Sequence, residues 1–226
     1  MNNFWISVLV LLSYSLYASG ADCSTDVLKT IVDTCIEKPV KLCEDRIAGQ
    51  GADRDTFILA VKFIKKHKQV MSLYKGRFGQ NEVIRFKKLI NFESVLPNFS
   101  EYSVKDINKN ERLYVGKKGD QIRLLKIADV WKIDLDKSNL SASRGAGKTQ
   151  QLRILLGFFH DLQQRLEQKQ SLEAVEKATL LGLAGIFYYD IPPDRPEKEQ
   201  FKKYLSQHAT TPEEIQHKFS NIADKL

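Results

Sequence analysis

The hydrophobic period of this chain changes twice, and that limits its fold more than any other feature. From Val27 to Phe92 apolar residues recur every three or four positions, from Tyr102 to Asp136 they alternate, and from Leu152 the helical spacing returns. A stripe of helical period cannot be buried by a strand, nor an alternating one by a helix. The pattern predicts an α+β protein: N-terminal helices, a curved antiparallel sheet of about four strands, then C-terminal helices. With 42% apolar residues in 226, the chain can bury a core, which excludes disorder as a description of the whole.

Local signals place the elements. Val27, Leu28, Ile31, Val32 and Cys35 follow a capping Ser24 or Thr25. Phe57, Val61, Ile64 and Met71 mark a long helix to about Tyr74, ended by Gly76 and Gly79, and Asn81 to about Phe92 carries Val83, Phe86 and Ile90 on one face. Strands are expected at Tyr102–Ile107, Arg112–Val115, Gln121–Ile127 and Val130–Leu135, joined by short turns as in a meander. Trp131, Ile133 and Leu135 alternate with Lys132, Asp134 and Asp136, so Trp131 and Ile133, with Leu124 opposite, are expected in the core or a cavity.

Beyond the sheet, Leu152, Leu155, Leu156, Phe159, Leu162 and Leu166 form one stripe. Leu172, Val175, Thr179, Leu183 and Phe187 form a second, capped by Ser171. Gly182 and Gly185 in that stripe suit close helix packing. Three prolines between Asp190 and Pro196 read as a linker, and Thr211-Pro212-Glu213-Glu214 is a strong helix start. The expected organisation is a signal peptide at 1–21, a cysteine-containing helical segment at 22–50, an α+β domain with its following helices at 51–188, and a linker and small helical tail at 189–226.

The N-terminus predicts export to the periplasm or the outside. Phe4 to Tyr17 is uncharged and mostly apolar, shorter than the roughly 20 residues of a membrane span, and Ala18, Ser19, Gly20 and Ala21 supply a small-residue cleavage site. Retention of the segment as an N-terminal anchor is the alternative. Export permits a disulfide. Of Cys23, Cys35 and Cys43, at most one internal pair can form, and Cys35–Cys43 across Pro39 is preferred over pairings with Cys23 or three reduced thiols.

The stretch from Ile122 through Ala128-Asp129 to the Trp131-Lys132-Ile133-Asp134-Leu135 strand resembles the closing hairpin of nuclear transport factor two-like (cystatin-like, cone-shaped) domains. Arg54 to Phe92 is similar to the paired N-terminal helices of such domains, and the continuation to about Ala184 to exported bacterial members with no assigned activity. The resemblance spans roughly residues 50–185. It implies either a non-catalytic domain holding an apolar ligand or a protein partner, or an isomerase or dehydratase acting in the cone. The usual turn is Asp-Gly or similar, whereas here it is Ala128-Asp129.

Constellations for chemistry are few. Ala142 to Thr149 fits a relaxed phosphate-loop pattern, with Lys148 and Thr149 in the phosphate and magnesium positions. That loop needs a buried parallel strand directly before it, and Asp136 to Ser141 intervene, so a loop before a helix is the better reading. No cofactor is expected. His67, His160, His208 and His217 share no metal-like spacing, and no nucleophile–His–acid set has supporting spacing. Asn98 and Asn139 are glycosylation sequons, relevant only in a eukaryotic host.

Ten Lys and Arg against two acids lie between Arg54 and Lys88, densest at Lys62, Lys65, Lys66 and Lys68. Such a run is a candidate anion-binding face, an anionic membrane surface among its partners, or an ordinary solvated helix. The aromatic residues near it fall on core stripes, which argues against nucleic acid. Oligomeric state stays open, a dimer included. The inward strand positions are apolar and the acids alternate outward, which favours binding over catalysis.

Overall fold

The computed structural model describes residues 26–90, 102–116, 121–139 and 146–226. The expected leader, Cys23, Asn98 and residues 142–145 lie outside the described residues. In chain order the elements are α1 (Asp26–Glu37), α2 (Val40–Glu44), β1 (Ile47–Ala48), α3 (Ala52–Phe78), α4 (Gln80–Ile90), β2 (Ser103–Asn108), β3 (Glu111–Val115), β4 (Gln121–Ile127), β5 (Val130–Asn139), α5 (Ala146–Glu167), α6 (Leu172–Phe187), a 3-10 turn (Tyr188–Asp190), α7 (Pro196–Gln207) and α8 (Pro212–Ala223). The class is α+β, as the periodicity predicts, but the sheet has five strands rather than four.

Two compact units emerge. A sheet unit contains the described residues of 26–65 and 102–139, and a helical unit contains 66–90 and 149–226. Helix α3 contributes to both. It runs through Gly76 and stops at Gly79, whose φ of +88° few other residues tolerate. A single glycine inside a helix costs only about 1 kcal/mol, so Gly76 does not end it as the sequence suggested.

In the sheet unit the strand order is β1-β5-β4-β3-β2. Strands β2 to β5 form an antiparallel meander, and β1 joins parallel to β5 with Ile47 opposite Ile133 and Ala48 opposite Asp134. Two residues cannot display a period, which is why β1 was invisible in the sequence. Tyr114, Ile122, Leu124, Ile133 and Leu135 bury one side of the sheet, and Leu28, Ile31, Val32 and Cys35 bury the stripe of α1. The hydroxyl of Tyr114 hydrogen-bonds to the Leu28 backbone, tying helix to sheet. The β4–β5 register shifts between Gln121 and Arg123. There the Ser138 hydroxyl accepts from the Arg123 N–H at 3.0 Å and donates to the Asp134 carbonyl at 2.5 Å, replacing ladder bonds lost at the bulge.

Trp131 corrects an expectation, because it is half-buried and not a core residue. Arg112, Leu124 and Ile133 share one cross-strand row, whereas Trp131 stands in the next, opposite Lys126 and close to the hairpin tip. Apolar cover stops one row short of it. Its ring instead carries the Arg112 guanidinium 5.2 Å from the centroid, with Asp106 2.6 Å from the Arg112 Nε.

The hairpin turn is strained where the sequence departs from the usual residues. Ala128 and Asp129 have φ of +47° and +61°, as a two-residue turn of type I′ requires. Asp tolerates that region and Ala does so poorly. Replacing Ala128 by Asn should raise the unfolding free energy by about 1 kcal/mol in denaturant melts without changing the fold. A loss of stability would mean that the turn does not hold this conformation.

The helical unit packs by close backbone approach. A Cβ on Gly157 of α5 would stand 1.8 Å from the Phe219 carbonyl oxygen of α8, and one on Gly185 of α6 2.5 Å from Ile215. Gly182 makes room for the Phe158 ring, so both α6 glycines serve packing. Ser171 caps α6, and Thr211 with Glu214 closes a capping box on α8. The Arg77 guanidinium donates to the Leu166 carbonyl at 3.0 Å at the end of α5.

Tyr74 stacks on Phe86 with centroids 4.3 Å apart, and its buried hydroxyl has no hydrogen-bond partner among the described residues. Burial foremost, then the nearby Glu176 and Glu82, push this phenol up to about 12. A native pKa above the ordinary value near 10 holds the neutral form, so its stabilisation is complete below pH 10 and is lost as pH rises from there toward 12. Tyr74→Phe should therefore flatten the alkaline fall in melting temperature between pH 10 and 12, and leave neutral-pH stability equal or higher by about 1 kcal/mol.

Candidate functional site

The four lysines of the densest basic run meet different surroundings. The Lys65 ammonium donates to the carbonyls of Lys38, of Ile36 at 3.0 Å and of Cys35 at 3.4 Å. It thereby caps the C-terminus of α1, where carbonyls lack partners and the helix dipole is negative. Lys66 donates to Gln163 Oε1 at 2.8 Å, and burial lowers its pKa, an effect the Glu167 carboxylate partly offsets. His67 sets its ring edge-on to Phe159 at 5.1 Å. Lys62 and Lys68 are half-buried. Two of the four expected anion-binding lysines thus spend their charge inside the protein.

Among the other expected site residues, Leu124 and Ile133 are buried. Ala146 to Thr149 form the first turn of α5. Burial foremost, then the Lys66 charge, lowers the pKa of His160, while His208 Nδ1, just past α7, lies 2.8 Å from the Tyr204 carbonyl. No group of three or more His, Cys, Asp or Glu among the described residues is placed to hold a metal ion.

Cys35 and Cys43 are bonded, and the bridge shapes a different site. Cys35 lies in the last turn of α1, Pro39 starts α2, and Cys43 lies near the end of α2, so the bond folds this turn back on itself. Two residues beyond α2 the chain pairs with the sheet: the Arg46 carbonyl accepts from the Ile133 N–H at 2.8 Å. Between this turn and the β4–β5 hairpin lies a groove of about 550 Å³. Its polar lining is Thr34, Lys38, Asp45, Arg46 and Lys132, and its apolar lining is Leu42, Ile127, Ala128 and Val130.

Two properties mark the groove. The described ion pairs engage none of Lys38, Arg46 or Lys132, and the lining acid is Asp45 alone. The apolar side chains Leu42 and Ile127, from two different segments, are 45% and 46% exposed and both line the groove. The sequence reading passed over these residues because they come from two distant stretches. The available signal was Lys38 and Lys41 between the two cysteines and Arg46 just beyond them.

Because five lining residues fall between Thr34 and Arg46, the bridge should matter for the groove as well as for stability. Cys35→Ser with Cys43→Ser should cost about 2–3 kcal/mol, as expected for a short closed loop. Amide exchange should accelerate first in residues 34–46, and uniform acceleration across the sheet unit would contradict this placement. Compared with known proteins, the chain matches no family model, no curated protein and no solved structure.

Proposed function

We propose that this chain is an exported, non-catalytic binding protein that takes an anionic ligand in the groove between the disulfide turn and the β4–β5 hairpin. The observation that carries the reading is the convergence of Lys38, Arg46 and Lys132, without ion-pair partners among the described residues, on one concave site. Cations held near one another repel, and an anion entering the site relieves that repulsion. Lys38, Arg46 and Lys132 line the groove with no described ion pair to break, whereas Lys65 and Lys66 would have to surrender internal hydrogen bonds.

Export is supported by the uncharged leader Phe4 to Tyr17 and by the Cys35–Cys43 bond, which oxidising compartments allow. No helix of the described residues is long and apolar enough to cross a membrane. The order of helices, antiparallel meander and helices is the support for kinship with nuclear transport factor two-like domains, a kinship of fold that carries no reaction with it.

Anilinonaphthalene sulfonate, an anion with an aromatic body, tests the reading by its fluorescence on binding. Arg46→Gln with Lys132→Gln should weaken binding on the order of tenfold, as for two charge-assisted contacts in a half-open site. Lys62→Gln with Lys68→Gln should leave it unchanged. Binding should also weaken as salt rises. A parent that fails to bind, or a groove variant that binds as the parent does, overturns the reading.

A further inference from the structure

We infer that the groove's ligand is a single-chain anionic amphiphile, taken up as a monomer, an inference that rests on the anion-binding reading above. A small hydrophilic anion would need only the cations. The groove also holds Leu42 and Ile127 nearly half exposed, from two different segments, with Val130 beside them. Single exposed apolar residues are ordinary, but two of this size facing one concavity are not scattered surface. They offer a tail a place to leave water while its head meets Lys38, Arg46 and Lys132.

Size and charge narrow the class. The groove's volume of about 550 Å³ falls within the usual range of small-molecule sites, roughly 300–1,000 Å³. Three lining cations against one acid suit a compact head carrying one or two negative charges, such as a carboxylate or a phosphate monoester. A membrane surface fits less well. The exposed Glu37 lies outside the groove lining on the same turn and would repel an extended anionic sheet, whereas a monomer meets only the groove.

Calorimetric titration with butyl, hexyl, octyl and decyl phosphate, each below its micelle concentration, separates tail from head. Full burial of a methylene corresponds to about fourfold in affinity, so a half-open groove should give about twofold per methylene, or on the order of 50-fold from butyl to decyl. Leu42→Ser with Ile127→Ser, at exposed positions, should flatten that slope. Arg46→Gln with Lys132→Gln should lower the whole series and keep the slope. Equal affinity along the series would overturn the amphiphile and leave the anion reading standing. Failure of every phosphate to bind would overturn both. Co-sedimentation with phosphatidylglycerol vesicles, without binding of monomeric decyl phosphate, would assign the groove to membrane lipid and overturn uptake of a monomer.

Discussion

The covalent link between Cys35 and Cys43 is the constraint on which the sheet unit's edge depends. It turns the chain through Pro39 and fixes where Arg46 emerges, so that the Arg46 carbonyl meets Ile133 and two residues extend the sheet as β1. A two-residue parallel strand has little cohesion of its own. It holds because the entropy of the preceding turn is already lost and because Lys65 grips that turn from α3 through three carbonyls. Remove the link, and cap, strand and groove wall must each be held separately.

The helical unit solves the same problem without a covalent bond among its described residues. Its helices come close because Gly157, Gly182 and Gly185 leave no Cβ to hold them apart, and Phe219, Phe158 and Ile215 fill the space. Close approach increases dispersion contact over many atoms, each worth only about 0.1–0.2 kcal/mol. Fit there is a matter of shape, whereas at the sheet's edge it is a matter of connectivity.

The sequence was informative wherever a pattern extended over a turn of helix or several residues of strand. The stripe from Leu152 to Leu166, the Ser171 and Thr211 caps and the β4 and β5 strands were legible because periodicity reports directly which side is buried. Alternation also gave Trp131 its correct side of the sheet. It could not say how far the apolar cover reaches, and that depends on residues remote in the chain. The lysine run makes a related point. Charge density along a helix does not tell which charges are engaged within the protein: Lys65 donates to carbonyls at the end of α1 and Lys66 donates to Gln163. The groove was illegible because the disulfide turn and the β4–β5 hairpin become neighbours only through β1.

The division of α3 sets an order in which the protein can be completed. Neither unit is continuous in the chain, since residues 66–90 belong with 149–226 while the sheet unit draws on stretches before and after them. As the chain grows from its N-terminus, every stretch of the sheet unit is present while the second half of α3 still lacks its partners. Val70, Tyr74, Val83 and Phe86, all buried in the finished protein, must wait with their apolar faces uncovered until α5 and α6 follow. This interval is where the growing chain is most open to aggregation, and where a folding helper would find the most to hold.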